Sequence, residues 1–257
     1  MIQGSSSIAS LGTFDTVNNK ATPFRVFVQR TVPQSYTARL QLTYKDGSFT
    51  DIQYVTFFVN PTYATHNVNA LTLTLTNNGR IGFYDFPDNL LGRGFIFKGE
   101  NFLFEGGLIV GTSSTQLDDV VRNETGGQNA DFHSTSFYTL QSPGIVSDQD
   151  GYAAFNDSLA SLNSKIGLLI DTYSYAFSDP GDSKYIIIQY NLKNNTRNSL
   201  ANLYAGLFLD WDIGNYEADY SMYDSARSLG YAYDSGFGNA TRREYLGVIA
   251  LNGAAGF

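Results

Sequence analysis

The sequence predicts an all-β protein, with a partial immunoglobulin-like sandwich over residues 1–62 and a larger antiparallel β-sandwich over residues 70–257. Three observations carry this. Apolar and polar residues alternate with a period of two along much of the chain, which points alternate side chains to opposite faces of a strand. Turn dipeptides such as Asp46-Gly47 and Asn78-Gly79 punctuate the alternating runs, as hairpin connections require. No helix-period segment is long enough for a crossover between parallel strands, which excludes a doubly wound sheet.

In the first region, Ala38, Leu40, Leu42 and Tyr44 point one way and Arg39, Gln41 and Thr43 the other. Lys45-Asp46-Gly47-Ser48 turns the chain, and Phe49–Val59 returns it. Pro61 ends the return strand because proline cannot donate to a central ladder. Phe24–Gln29 reads as a third strand, so this region is too short for seven strands. In the second region the strand candidates are Leu71–Thr76, Gly94–Phe97, Phe102–Gly111, Ile166–Phe177, Tyr185–Lys193, Leu200–Ile213, Leu229–Tyr233 and Tyr245–Leu251. Asp157–Lys165 is the one place where a short helix is expected.

Composition narrows the function classes. The net charge is −8 and charged residues make up 16% of 257, so nucleic acid and anionic membrane surfaces are unfavourable partners. The absence of cysteine excludes disulfides, thiol nucleophiles and thiolate metal sites. No apolar run reaches the length of a membrane helix. Residues 1–20 lack the basic and apolar regions of a signal peptide. Both ends read as boundaries within a longer exported chain. The low charge and the 19 Phe and 18 Tyr suit an extracellular β-protein, with the aromatics serving strand packing or, as exposed rows, sugar stacking.

Catalytic motifs are missing. The two histidines are His66 and His133. His133 and Ser134 are adjacent in an extended segment, so they point to opposite faces and cannot form a Ser–His pair. Gly111-Thr112-Ser113 is followed by Ser114-Thr115-Gln116, which is turn chemistry at a strand end. Carboxylates remain. In Leu207-Phe208-Leu209-Asp210-Trp211-Asp212-Ile213-Gly214, Asp210 and Asp212 share a face, with Cα atoms about 7 Å apart. This spacing suits hydrogen bonding to a loop, a calcium ion, or a carboxylate pair of glycosidase type. Asp219, Asp224 and Asp234 could add oxygens. Asp148-Gln149-Asp150-Gly151 lacks the remaining ligands of an EF-hand loop. Asn123, Asn156, Asn194 and Asn239 lie in glycosylation sequons.

Several phrases resemble the region that follows the catalytic domain in secreted, subtilisin-like serine peptidases of bacteria. They are Asn78-Gly79-Arg80-Ile81-Gly82-Phe83, Gly99-Glu100-Asn101-Phe102-Leu103-Phe104-Glu105-Gly106-Gly107-Leu108, Tyr185-Ile186-Ile187-Ile188-Gln189-Tyr190 and Leu203-Tyr204-Ala205-Gly206-Leu207-Phe208-Leu209-Asp210-Trp211-Asp212. The peptidase motifs themselves are absent, so no catalytic residue carries over. The resemblance implies a non-catalytic accessory region, extracellular or at the cell surface. Its partners would be adjacent domains of the same chain and a protein or glycan surface. Calcium is the one cofactor the acidic segment suggests. The alternative expectation is a carbohydrate-binding or carbohydrate-active sandwich that uses the aromatic rows with Asp210 and Asp212.

Overall fold

The computed structural model describes residues 3–8, 10–29, 31–235 and 244–251. The fold is all-β, with 49% of residues in strands and 1% in helix. The chain divides into two compact units, Met1–Asn60 and Pro61–Phe257.

The first unit contains one long hairpin among its described residues. Strand β1 (Tyr36–Asp46) pairs antiparallel with β2 (Phe49–Val59) in unbroken register from Tyr36↔Val59 to Asp46↔Phe49. The Asp46-Gly47-Ser48 turn sits where the alternation places it, with Gly47 at positive φ. Phe24–Gln29 does not form a strand. Among the described residues its one ladder contact is a single bridge between Arg25 and Gln3, and neither edge of the hairpin pairs with it.

Among the described residues the second unit contains sixteen strands. They run β3 (Tyr63–His66), β4 (Leu71–Thr76), β5 (Arg80–Ile81), β6 (Phe95–Phe97), β7 (Glu100–Asn101) and β8 (Leu103–Ser113). Next come β9 (Gln116–Asp119), β10 (His133–Ser134), β11 (Thr139–Gln141), β12 (Gln149–Asn156) and β13 (Leu168–Ala176). The last are β14 (Ile186–Asn194), β15 (Tyr204–Trp211), β16 (Asp219–Asp224), β17 (Leu229–Asp234) and β18 (Tyr245–Ile249). One 3-10 turn, Tyr216–Ala218, precedes β16. Asp157–Lys165 forms turns rather than the expected helix. The Asp157 carboxylate accepts the amides of Ile166 and Gly167, so a side chain captures backbone donors locally and turns win over a helix.

An eight-stranded sheet (order β15-β8-β5-β4-β6-β7, with β3 on β4 and β9 on β8) faces a five-stranded one (order β10-β12-β13-β14, with β11 on β12). Strands β12 and β13 alternate strictly between buried and half-buried residues. The core forms between the two sheets. Leu108 and Val110 of β8 meet Phe155 of β12 and Leu168 and Ile170 of β13. Leu73 and Leu75 of β4 meet Tyr138 and Ala153. A separate three-stranded sheet, β16-β17-β18, lays Ala232 and Leu246 against Phe102 and Ile213.

Candidate functional site

The carboxylates singled out from sequence have different fates. Asp210 lies on β15 opposite Glu105 of β8. A register shift between Asp210 and Trp211 ends the regular strand, so Asp212 leaves the ladder, and its amide donates to the Phe102 carbonyl at 2.9 Å. Asp210 is closed by an ion pair with the Arg122 guanidinium. Arg122 in turn donates from Nε to Glu105 Oε2 at 2.5 Å and from its backbone amide to Oε1 at 2.8 Å. Glu105 is buried, 2% exposed, and such a charge persists only when paired and hydrogen-bonded. The guanidinium carbon lies 5.7 Å from the Phe104 ring and 5.4 Å from the Phe208 ring, within cation–π range. Arg80, also buried, donates to the carbonyls of Phe86 and Asn129. Burial pushes its guanidinium pKa down, and Glu105 opposes that shift.

This arrangement speaks for structure rather than chemistry. Asp210 faces a cation of its own chain, and Asp212 lies beyond the register shift. Burial and the Asp210 charge raise the Asp212 carboxyl, and Arg122 opposes them. Burial likewise raises Asp219, whose Oδ2 accepts the Ile213 amide at 2.8 Å. Among the described residues no three His, Cys, Asp or Glu side chains are placed to hold a metal ion. Asp224 pairs with Arg227 three residues on. Glu105 and Arg122 escaped the sequence reading; the available signal was a lone acid inside the apolar run Phe102–Val110.

The histidines separate as clearly. His133 lies exposed on β10 opposite Asn156. His66 is fully buried, and its Nε2 lies 2.7 Å from Ser174 Oγ. The Tyr138 hydroxyl lies 2.8 Å from the same oxygen. A histidine bonded to a serine has the geometry of a nucleophile and base. Here both are 0% exposed, so no substrate can reach them. Burial lowers the His66 pKa to about 4, against opposing effects of Gln149 and Asp150, so the ring is neutral near pH 7. The trio is a polar plug between the two sheets.

A second buried cluster joins Asp118 of β9 to Asp157. Each accepts the Ile166 amide at 3.1 Å through Oδ2, which brings the two carboxyl groups together. Asp157 also accepts from Gly167. Burial, with Asp157 and Asp131 nearby, raises the Asp118 carboxyl to about 7, well above the usual carboxylate range.

The other sequence motifs are loop staples. Ser113 Oγ accepts the Gln116 amide at 3.1 Å. Asp150 accepts the amides of Ile145, Val146 and Ser147. Asn123 and Asn194 accept from the threonines two residues on, Asn156 accepts the Ser158 amide, and Asn239 lies outside the described residues.

Tyrosines make an exposed, ordered surface in the second unit. In the β16-β17-β18 sheet, Tyr220 faces Tyr233, which faces Tyr245. Met222 faces Tyr231 in the next row. Ring centroids lie 6.3 Å apart for Tyr220–Tyr233, 5.3 Å for Tyr233–Tyr245 and 6.2 Å for Tyr231–Tyr233. Comparison of the chain with protein-family models, with curated proteins and with solved structures found no match.

Proposed function

We propose that this chain is a non-catalytic accessory region of a larger exported protein of the subtilisin-like peptidase type. Its first unit would complete an immunoglobulin-like sandwich with strands from a neighbouring domain. One observation carries the reading. Among the described residues of Met1–Asn60 the only buried hydrophobic residue is Val59. Apolar side chains lie exposed on both faces of the hairpin, with Phe49 and Val55 on one and Ile52, Tyr54 and Phe58 on the other. A lone two-stranded ribbon is marginally stable in water, and unpaired strand edges template further pairing. A groove of about 400 Å³ lined by Val26, Phe27, Val28, Tyr36, Ala38 and Val59 runs along one face, the start of a core that this unit does not fill. The buried His66–Ser174 pair and the neutralised Asp210 fit a region without catalysis of its own.

Amide hydrogen exchange tests this. In the 257-residue chain, residues 36–59 are expected to exchange fast and to bind a hydrophobic dye. In the full natural chain the same amides are expected to be protected. Slow exchange of 36–59 in the 257-residue chain would overturn the proposal.

A further inference from the structure

The β16-β17-β18 sheet has two unlike faces. The inner one carries Ala232 and Leu246 and is buried against Phe102 and Ile213. The outer one is a three-by-three grid set by the register. Tyr220, Tyr233 and Tyr245 form its first row, and Met222, Tyr231 and Gly247 its second. Leu229 and Ile249 share the third with Asp224. Tyr220 is 52% exposed and Tyr245 68%.

We propose that this grid is a stacking platform for a neutral glycan. Charge decides the class of partner. Among the described residues Asp224 is the only charged member of the grid, and Arg227 closes it within its own turn, so these nine positions offer no free charge to an ionic ligand. What they offer is tyrosine: Tyr233 and Tyr245 stack on each other at 26°, while Tyr220 and Tyr245 stay more than half exposed and present apolar, electron-rich ring surface with a hydroxyl at the rim. Pyranose rings present the complement, an apolar C–H face bordered by hydroxyls. Size decides against a protein partner. A stable protein interface takes about 20–30 residues a side, and this grid supplies fewer than ten. The rings are also held in place. A Cβ at Gly247 would lie 2.5 Å from the Gly230 carbonyl oxygen, 2.9 Å from the Leu229 side chain and 3.0 Å from Tyr231 Cβ, so only glycine lets β18 pack this closely on β17. The Tyr231 and Tyr233 hydroxyls converge on Met222 Sδ, at 3.5 and 3.7 Å. A platform pre-ordered by its own packing loses little freedom on binding. The grid is drawn wholly from residues 220–249, whereas the accessory-region reading rests on residues 1–60, so failure of one leaves the other standing.

The test is retention of the 257-residue chain on cellulose, chitin, insoluble xylan and starch, followed by titration with the soluble hexasaccharide of the polymer that retains it. Retention on at least one polymer is expected, with amide exchange slowed at 219–234 and 245–249. Tyr220→Ala and Tyr245→Ala are each expected to weaken binding about tenfold at unchanged melting temperature. If either alanine variant melts early, Tyr245→Phe keeps the ring and is expected to bind as the parent does. Three results would each overturn the proposal. They are no retention on any of the four polymers, retention unchanged in both alanine variants, and a concentration-dependent dimer that those variants abolish.

Discussion

Arg122 shows how the cost of losing one side chain depends on what it leaves behind. It neutralises Glu105, which is buried, and Asp210, which is part-exposed. Arg122→Ala strands the Glu105 charge in the interior and is expected to cost about 3–5 kcal/mol in denaturant unfolding. Asp210→Asn removes only the outer pair and is expected to cost less than about 1 kcal/mol. A large loss from Asp210→Asn would show that Asp210 is more than the outer arm of this pair. Asp118 and His66 act on stability with opposite signs as pH changes. The native state holds a proton on Asp118 up to about pH 7, whereas the unfolded chain releases it near pH 4. Stability is therefore lost as pH rises through that window. His66 titrates near 4 in the native state and near 6.5 unfolded, so its contribution is lost as pH falls through that window. Asp118→Asn keeps the site neutral and is expected to raise the melting temperature at pH 8 by a few degrees, with a smaller change at pH 5. An equal shift at both pH values would show that Asp118 does not hold a proton near neutral pH.

Strands β12 and β13 show why some elements were legible and others not. Ile166–Phe177 reads as a strand because its apolar residues alternate, and it contains β13. Gln149–Asn156 escaped detection because Asp150, Gly151 and Asn156 look like loop residues. Gly151 is there for space. It pairs with Ser174, and a Cβ at that position would press on Ser174 Oγ and the Tyr138 hydroxyl. The polar plug thus depends on a glycine in mid-strand, where glycine otherwise weakens a sheet. Gly151→Ala is expected to destabilise the second unit by about 1–3 kcal/mol, read by thermal unfolding. A neutral result would mean that the plug yields without cost. The same limits apply to β16, whose acidic residues Asp219 and Asp224 hid the alternation of Tyr220 and Met222.

At the scale of the whole molecule the two units differ in how much they bury. The second has three core clusters, while the described part of the first buries only Val59 among its hydrophobic residues. Because burial of apolar surface is the main driving force of folding, the units are expected to respond differently to protease. Limited proteolysis is expected to remove residues 1–60 and leave 61–257 resistant, and mass spectrometry of the products checks it. Equal resistance of both units would contradict this.

The sequence by itself determined that the chain is all-β, because period-two alternation and turn residues act locally and need no knowledge of partners. It also determined where β1 and β2 turn and that no recognisable catalytic motif is present. Tertiary structure decided what the polar residues do. Asp210 and Asp212 look alike on paper, yet one meets Arg122 and the other leaves the ladder at a bulge. His66 finds Ser174 across a separation of 108 residues. The tyrosines of β16, β17 and β18 become a surface only when the register sets them side by side. Pairing of this kind depends on burial and distance between remote segments, and neither is written into a local pattern.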